Sequence, residues 1–172
     1  MAFTNVQVDT ASLPQAAELE LNRLPEAHRR EILVQSIITV AILALPSLIF
    51  VISPLKEKIG GFVWLFPGSI VAFGALFTAL ALVRYRHKGY ALREYDVAFR
   101  TGLFWRKTTI LPFDRVQHAE VTQGPLQRRF GVSTLKFFTA GGTSVDLKID
   151  GLLADEAERL RAVVLARSGH GD

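Results

Sequence analysis

The sequence has 172 residues, enough for one modest domain and an additional element but too few for two ordinary domains. Apolar residues make up 49% of the chain and its mean hydropathy is +0.27, so apolar segments must be concentrated in part of it. The absence of cysteine excludes disulfides, thiolate metal sites and cysteine nucleophiles. The net charge is +4, and residues 84–172 hold fifteen of the twenty basic residues.

Residues 1–31 are expected to form a cytoplasmic N-terminal tail that is partly disordered, chiefly at residues 1–11. The rest of the tail reads LPQAAELELNRLPEAHRR, where Pro14 and Pro25 bracket a short amphipathic pattern. This pattern leaves two arrangements open. The segment could lie at the membrane interface or dock on the soluble part of the chain.

Two long runs contain no charged residue, at 32–52 and 62–83. As helices, each would be about 30 Å long, which matches the hydrocarbon core of a bilayer. Breaker residues separate them, so the prediction for 32–83 is a transmembrane hairpin. Two buried helices of a globular core are the alternative, although such long core helices rarely lack charge on every face. The first run begins too late, after a mixed-charge segment, to be a signal peptide.

Basic residues are more frequent on the outer flanks of the hairpin than in its loop. The outer flanks carry six basic residues, Arg23, Arg29, Arg30, Arg84, Arg86 and Lys88. The loop carries two, Lys56 and Lys58. This asymmetry predicts a multi-pass protein of the cell membrane, with both termini and the C-terminal domain in the cytoplasm. Small residues recur at helical spacing in the second run and are expected to pack within the hairpin, with a membrane partner as the alternative: Gly68, Ala72, Ala75 and Ala79.

A basic cluster follows the second run. Arg84, Arg86 and Lys88 are expected to face anionic lipid head groups where the helix leaves the bilayer. Tyr85 and Tyr90 add aromatic side chains suited to the same interface. The alternative for the cluster is a specific ligand site.

The hydropathy pattern changes to a period of two in residues 84–172. Val145, Leu147 and Ile149 alternate with Asp146, Lys148 and Asp150, which predicts a strand with one solvated face. Segments 116–123 and 134–140 are also rich in strand-forming residues, and reversals are predicted at 94–96, near 106–107 and in AGGTS. Six or seven short strands without intervening helices predict an antiparallel sheet or barrel.

The last segment predicts an amphipathic helix, because Leu153, Ala157, Leu160 and Val164 share one face. Acidic residues in its first turns and arginines later complement the helix dipole. The predicted fold class is therefore an α+β membrane protein. A two-helix transmembrane hairpin precedes an antiparallel β-barrel or sandwich, which the C-terminal helix caps.

This arrangement resembles the bacterial pleckstrin-homology-like membrane-flanked domain family, the YdbS-like group, over about residues 30–172. The likeness rests on a set of positions: Tyr90, Leu92, Arg100, Gly102, Pro112, Arg115, Gln117, Gln123, Gly124, Arg128, Phe130 and Gly131. The Trp105–Arg106–Lys107 turn departs from that set by being more basic and aromatic. The resemblance implies a pleckstrin-homology-like (PH-like) module and partners among larger membrane proteins with several copies of the same domain.

No catalytic constellation is visible in the sequence. The four histidines (His28, His87, His118 and His170) are scattered, and neither metal-ligand spacing nor a glycine-rich phosphate loop occurs. Asp146 and Asp150 are interpreted as part of a solvated strand face. The prediction is a non-enzymatic protein with no cofactor, metal ion or small-molecule substrate.

Two basic spots beside aromatic residues are candidate contacts for a partner or lipid: Trp105, Arg106 and Lys107 on one turn, and Arg128 and Arg129 in GPLQRRFG. Surface solvation is the alternative for both. The connection between the first two strands is too short for the basic loop with which eukaryotic PH domains bind phosphoinositides, and nucleic acid is not expected as a partner.

The leading hypothesis is a membrane-anchored PH-like module that binds a membrane protein or self-associates, as an assembly subunit of a membrane complex. The second is a module that senses anionic lipid at the membrane surface. The third, a membrane enzyme or transporter subunit, is weakest, because the two runs contain no charged residue.

Overall fold

The computed structural model describes residues 20–53, 57, 60–139 and 145–168. Two long helices lie near the start of the chain. Helix α1 spans Glu26–Ile52, a 3₁₀ turn spans Gly60–Trp64, and helix α2 spans Leu65–Arg86. Pro25, in the extended conformation with φ −67° and ψ 151°, immediately precedes α1. The helix thus begins six residues before the predicted start of the first apolar run.

Both helices are long and apolar enough to cross a membrane, over Glu26–Ile49 and Gly60–Arg86. Only 6% of the most apolar stretch of each is buried within the structure. A core helix of a water-soluble protein would be mostly buried. The exposed side chains of the pair are largely apolar, which suits a lipid environment.

The two helices approach closely at Gly74, where a Cβ atom would lie 2.2 Å from Cγ2 of Val40. The small-residue row at Gly68, Ala72, Ala75 and Ala79 is exposed, so the expectation that it packs within the hairpin is wrong. The reason is the helical period, which turns the half-buried Ile70, Gly74 and Thr78 toward α1.

A four-stranded antiparallel sheet follows α2. Its order is β1 (Asn22–Arg23), β2 (Gly89–Leu92), β3 (Asp96–Thr101) and β4 (Lys107–Pro112). The first predicted reversal is confirmed, and Arg93 closes it with two hydrogen bonds of 2.6 Å to the Asp96 carboxylate. The second is confirmed as the connection between β3 and β4. Strand β1 lies in the segment expected to be a tail.

The second sheet is also antiparallel and contains the strands β5 (Val116–Thr122), β6 (Val132–Thr139) and β7 (Leu147–Leu153) in that order. A short helix, α3 (Pro125–Phe130), connects β5 with β6. Leu147 and Ile149 are buried, as their alternation predicts, whereas Val145 precedes the strand and is 39% exposed. The predicted AGGTS reversal falls at residues 140–144 and lies outside the described residues.

Helix α4 (Ala154–Ser168) covers the module, with Ala157, Leu160 and Val164 in a core that both sheets share. The predicted apolar face is confirmed at these three positions. Leu153 instead ends β7 and is 42% exposed. The structure therefore confirms the predicted class: two apolar helices, antiparallel sheets and a capping C-terminal helix.

Candidate functional site

The base of α1 carries a buried polar pair, and its histidine also faces the β-module, with His28 Nε2 3.7 Å from Oδ2 of Asp150 on β7. His28 Nδ1 lies 2.7 Å from Glu31 Oε2, and both side chains are less than a tenth exposed. The His28 ring also stands 5.9 Å from the ring of Tyr85 on α2. His28 falls within the segment predicted to be a tail, and no role for it is predicted from the sequence. The missed signal is a histidine and a glutamate three residues apart, just before an apolar helical run.

Gly151 on β7 lets the module approach α1. Its φ is +87°, a conformation that other residues rarely adopt, and an added Cβ would lie 2.2 Å from the His28 ring. Any side chain here would therefore both strain the backbone and collide with the imidazole.

Lys88, just beyond α2, forms an ion pair with β7. Its Nζ lies 2.7 Å from Oδ2 of Asp150, and the side chains are 20% and 33% exposed. Burial acts to raise the pKa of Asp150, but the charge and hydrogen bond of Lys88, with His28 nearby, outweigh it and hold the pKa below its usual value. Two expectations are thus corrected: Asp150 is not on a solvated face, and Lys88 is paired with a carboxylate rather than directed at head groups.

The two tyrosines expected at the lipid interface are buried within the protein. Tyr85 donates a 2.9 Å hydrogen bond to the carbonyl of Leu24, and Tyr90 donates to the carboxylate of Glu156 on α4. Burial, and then the hydrogen bond and charge of Glu156, raise the pKa of the Tyr90 hydroxyl well above its usual value. The chain passes from α2 into β2 between these two tyrosines. Their hydrogen bonds therefore stabilise the junction between the hairpin and the module.

A cavity of about 820 Å³ lies between α1 and α2 and reaches the module. Its lining is polar where the helices meet the sheets and mainly apolar farther along the hairpin. The polar end includes His28, Glu31, Arg84, Lys88, Gln127, Thr134, Lys148 and Asp150. The apolar end includes Val40, Leu43, Ile70, Phe73, Phe77 and Ala81, with Thr39, Ser69 and Thr78 among them.

The turn between β3 and β4 lies at the hairpin end of the first sheet. Gly89, three residues beyond α2, pairs with Arg100, and the strands continue past this rung to the Thr101–Lys107 pair. The turn extends beyond that pair, on the side from which α2 enters. Its tip carries exposed aromatic and basic side chains: Phe104 (78% exposed), Trp105 (87% exposed), Arg106 and Lys107.

The second basic spot, Arg128 and Arg129, is exposed on α3, which contacts the base of α1. Arg84 and Arg86 are exposed at the end of α2. A second cavity, of about 490 Å³, is also lined mainly by basic side chains, those of Arg23, Arg29, Arg86 and Lys88. Most of the predicted basic residues therefore gather where the hairpin meets the module.

Histidine and carboxylate groups do not form a metal site within the part of the chain that the structure describes. His28 lies 2.7 Å from Glu31 and 3.7 Å from Asp150. Hydrogen bonding and ion pairing with Lys88 already occupy both carboxylates.

The sequence matches the model of the family described as "Bacterial PH domain" over residues 32–168, a range that includes both helices and the whole module. It is 32% identical over 96 residues to the UPF0699 transmembrane protein YdbS of Bacillus subtilis, covering 55% of this chain and 58% of YdbS. It is 27% identical over 101 residues to YdbT of the same organism, covering 56% of this chain and 20% of YdbT.

The chain thus spans less than two thirds of the length of either relative. No solved structure matches it. The family match covers most of the 172 residues and coincides with the architecture of apolar helices, antiparallel sheets and capping helix. The chain is a membrane protein that belongs to the bacterial PH domain family.

Proposed function

We propose that the chain is a non-enzymatic, multi-pass protein of the cell membrane whose PH-like module rests on the cytoplasmic membrane surface and contacts anionic lipid. The observation that carries this proposal is the position of the β3–β4 turn. Trp105 and Phe104 are exposed at the hairpin end of the sheet, beside Arg106 and Lys107. Aromatic rings next to cations suit the interface between anionic head groups and hydrocarbon.

Chain geometry supports this placement of the turn. Strand β2 begins three residues after α2 ends, and β3 returns antiparallel toward the same end. The opposite turn, which carries Tyr95, lies at the far end of β3, about 20 Å away for a six-residue strand. One end of the sheet therefore faces the membrane and the other faces the cytoplasm.

A reporter at each turn tests this orientation in the full-length protein. Trp64→Phe leaves Trp105 as the sole tryptophan, since the sequence contains two. In nanodiscs with phosphatidylglycerol and brominated lipid, we expect blue-shifted Trp105 emission that the bromine quenches. Adding Arg106→Ser and Lys107→Ser should weaken the quenching, because the turn then loses its attraction for the anionic surface.

The matched control is Trp64→Phe, Trp105→Phe and Tyr95→Trp, which moves the reporter to an equally exposed position on the opposite turn. We expect emission there to be typical of water and insensitive to brominated lipid. Equal quenching at both turns, or none at Trp105, would contradict the proposed contact.

A second candidate function, an assembly subunit of a membrane complex, is favoured by strand β4. Among the described strands, β4 pairs only with β3, so the backbone groups along its other side are open to a partner strand. Because the sequence has no cysteine, Thr109→Cys gives a single attachment point on this edge. Crosslinking in membranes should then yield a defined adduct that Glu94→Cys does not, and equal yields from both would argue against a specific edge.

A further inference from the structure

The cavity between α1 and α2 has the shape and polarity of a lipid molecule. Along α1 it runs from His28 to Leu43, and along α2 from Arg84 to Ser69. Fifteen residues of helix correspond to about 22 Å, whereas one leaflet of the hydrocarbon core is roughly 15 Å deep. The cavity therefore reaches from the head-group level well into the membrane.

The charges at the polar end leave a net cationic site. Three cations, Arg84, Lys88 and Lys148, line this end against two carboxylates, Glu31 and Asp150, and Asp150 is already paired with Lys88. Arg84 and Lys148, which line the same end, have no carboxylate partner among the described residues. Two cations without a counter-ion at the depth of the lipid head groups suit a phosphate group.

His28 supplies an independent indication of a ligand. Its side chain is only 6% exposed, and Nε2 has no hydrogen-bond partner among the described residues. A buried polar atom without a partner costs roughly 1–3 kcal/mol, so such atoms normally have one. The nearest charged group to Nε2 is Oδ2 of Asp150 at 3.7 Å, which is too far for a direct hydrogen bond. A hydroxyl group, which both donates and accepts hydrogen bonds, could bridge these two atoms at the polar end of the cavity.

We propose that this cavity binds one molecule of an anionic phospholipid with a hydroxyl-bearing head group. Arg84 and Lys148 bind the phosphate, the head-group hydroxyl forms a hydrogen bond with His28 Nε2, and an acyl chain lies between Val40 and Phe77. The site is separate from the β3–β4 turn. The proposed lipid site therefore goes beyond the proposed surface contact and can be tested independently of it.

Phosphatidylglycerol has both features, a phosphate and a glycerol hydroxyl, and is the probe. Native mass spectrometry of the full-length protein in detergent, titrated with phosphatidylglycerol or phosphatidylcholine, counts bound lipid molecules. We expect one phosphatidylglycerol to bind at least about tenfold more tightly than phosphatidylcholine, because only the anionic lipid retains net charge for the cations. The Nε2 signal of His28 in nitrogen NMR should shift when phosphatidylglycerol is added.

Two variants test the two ends of the cavity. Arg84→Gln with Lys148→Gln should weaken phosphatidylglycerol binding by roughly ten- to a hundredfold, as expected for the loss of charge-assisted hydrogen bonds. Ala81→Trp should abolish binding by filling the apolar end. The matched control, Arg115→Gln with Arg159→Gln, removes the same charge at exposed positions outside the cavity and should leave this single site unchanged.

Three results would overturn the proposal. These are equal affinity for the two lipids, equal weakening by the cavity and control pairs, or a lipid-free dimer that Ala81→Trp dissociates. The dimer would identify the cavity as an interface between copies. Quenching at Trp105 reports the surface contact separately, so failure of one proposal is distinguishable from failure of the other.

Discussion

Lys88 Nζ lies 2.7 Å from Oδ2 of Asp150, a residue 62 positions later in the chain. This ion pair joins the exit of α2 to the middle of β7. Together with the contact between His28 and Gly151, it joins the hairpin to the β-module through side-chain contacts and not only through the connecting backbone.

Lys88→Met should destabilise the protein by about 1–2 kcal/mol, because it leaves the largely buried carboxylate of Asp150 without its main partner. Thermal unfolding in one detergent would measure the loss. The matched control is Lys136→Met, which removes a more exposed and longer pair with Glu120, at 3.5 Å, and should cost less than about 0.5 kcal/mol. Equal losses of stability in the two variants would mean that the Lys88–Asp150 pair contributes no more than the more exposed Lys136–Glu120 pair.

Asp150 should make the stability of the folded protein depend on pH in the acidic range. Its pKa is lowered in the folded protein, so the stabilisation is complete above the usual pKa of 3.8 and is lost as pH falls through the lower, folded value. The melting temperature of the wild type should therefore exceed that of Asp150→Asn by a constant amount near neutral pH. This difference should begin to shrink below about pH 5. A constant difference down to pH 3 would contradict the assignment.

Tyr90 should make the stability of the folded protein depend on pH in the alkaline range. Its pKa is raised by burial and by Glu156, so its contribution is present below pH 10 and is lost as pH rises through the folded value. Titration of phenolate absorbance should show an ionisation above the usual tyrosine range that Tyr90→Phe removes. Above pH 10 the wild type should lose stability more steeply than this variant. Coincident ionisation of all the tyrosines would refute the prediction.

A comparison of Gly151→Ala with Gly131→Ala should separate the cost of steric contact from the cost of backbone strain. Gly151 and Gly131 both have positive φ, +87° and +66°, but a Cβ at Gly131 meets nothing within 4 Å. Gly131→Ala should cost about 1–2 kcal/mol for its backbone conformation alone. Gly151→Ala should cost more, because its methyl group collides with the His28 ring.

Adding His28→Ala to Gly151→Ala makes room for the new methyl group. The double variant should therefore be more stable than the sum of the two single losses predicts, as a double-mutant cycle would show. Additive losses would mean that the imidazole does not limit the approach of β7 to α1.

Local patterns were sufficient to predict most elements of the fold, although not β1, which lies in the segment predicted to be a tail. Long uncharged runs predict helices, alternation at Leu147 and Ile149 predicts a strand with a buried face, and the spacing of Ala157, Leu160 and Val164 predicts the buried face of α4. Each depends only on neighbours within a few residues. The small residues of α2 were assigned to the wrong face because several sets of positions share helical spacing, and only the partner helix decides which set is covered.

The junction could not be predicted in this way. Nothing near Asp150 in the sequence indicates Lys88, and nothing near His28 indicates Gly151, since these contacts depend on how the hairpin docks on the sheets. The basic and aromatic character of residues 104–107 was evident in the sequence. Its position at the hairpin end of the sheet required the strand register.

The contact between His28 and Gly151 also has a consequence for biosynthesis. The ribosome makes α1 long before β7, and at about 5–20 residues per second the 122 intervening positions take roughly 6–24 s. During this interval His28 can pair with Glu31 within α1, but Asp150, which lies 3.7 Å from His28 in the folded protein, has not yet been made. Strand β7 must therefore dock on a helix that is already in the bilayer. Asp150 on this strand then forms its ion pair with Lys88.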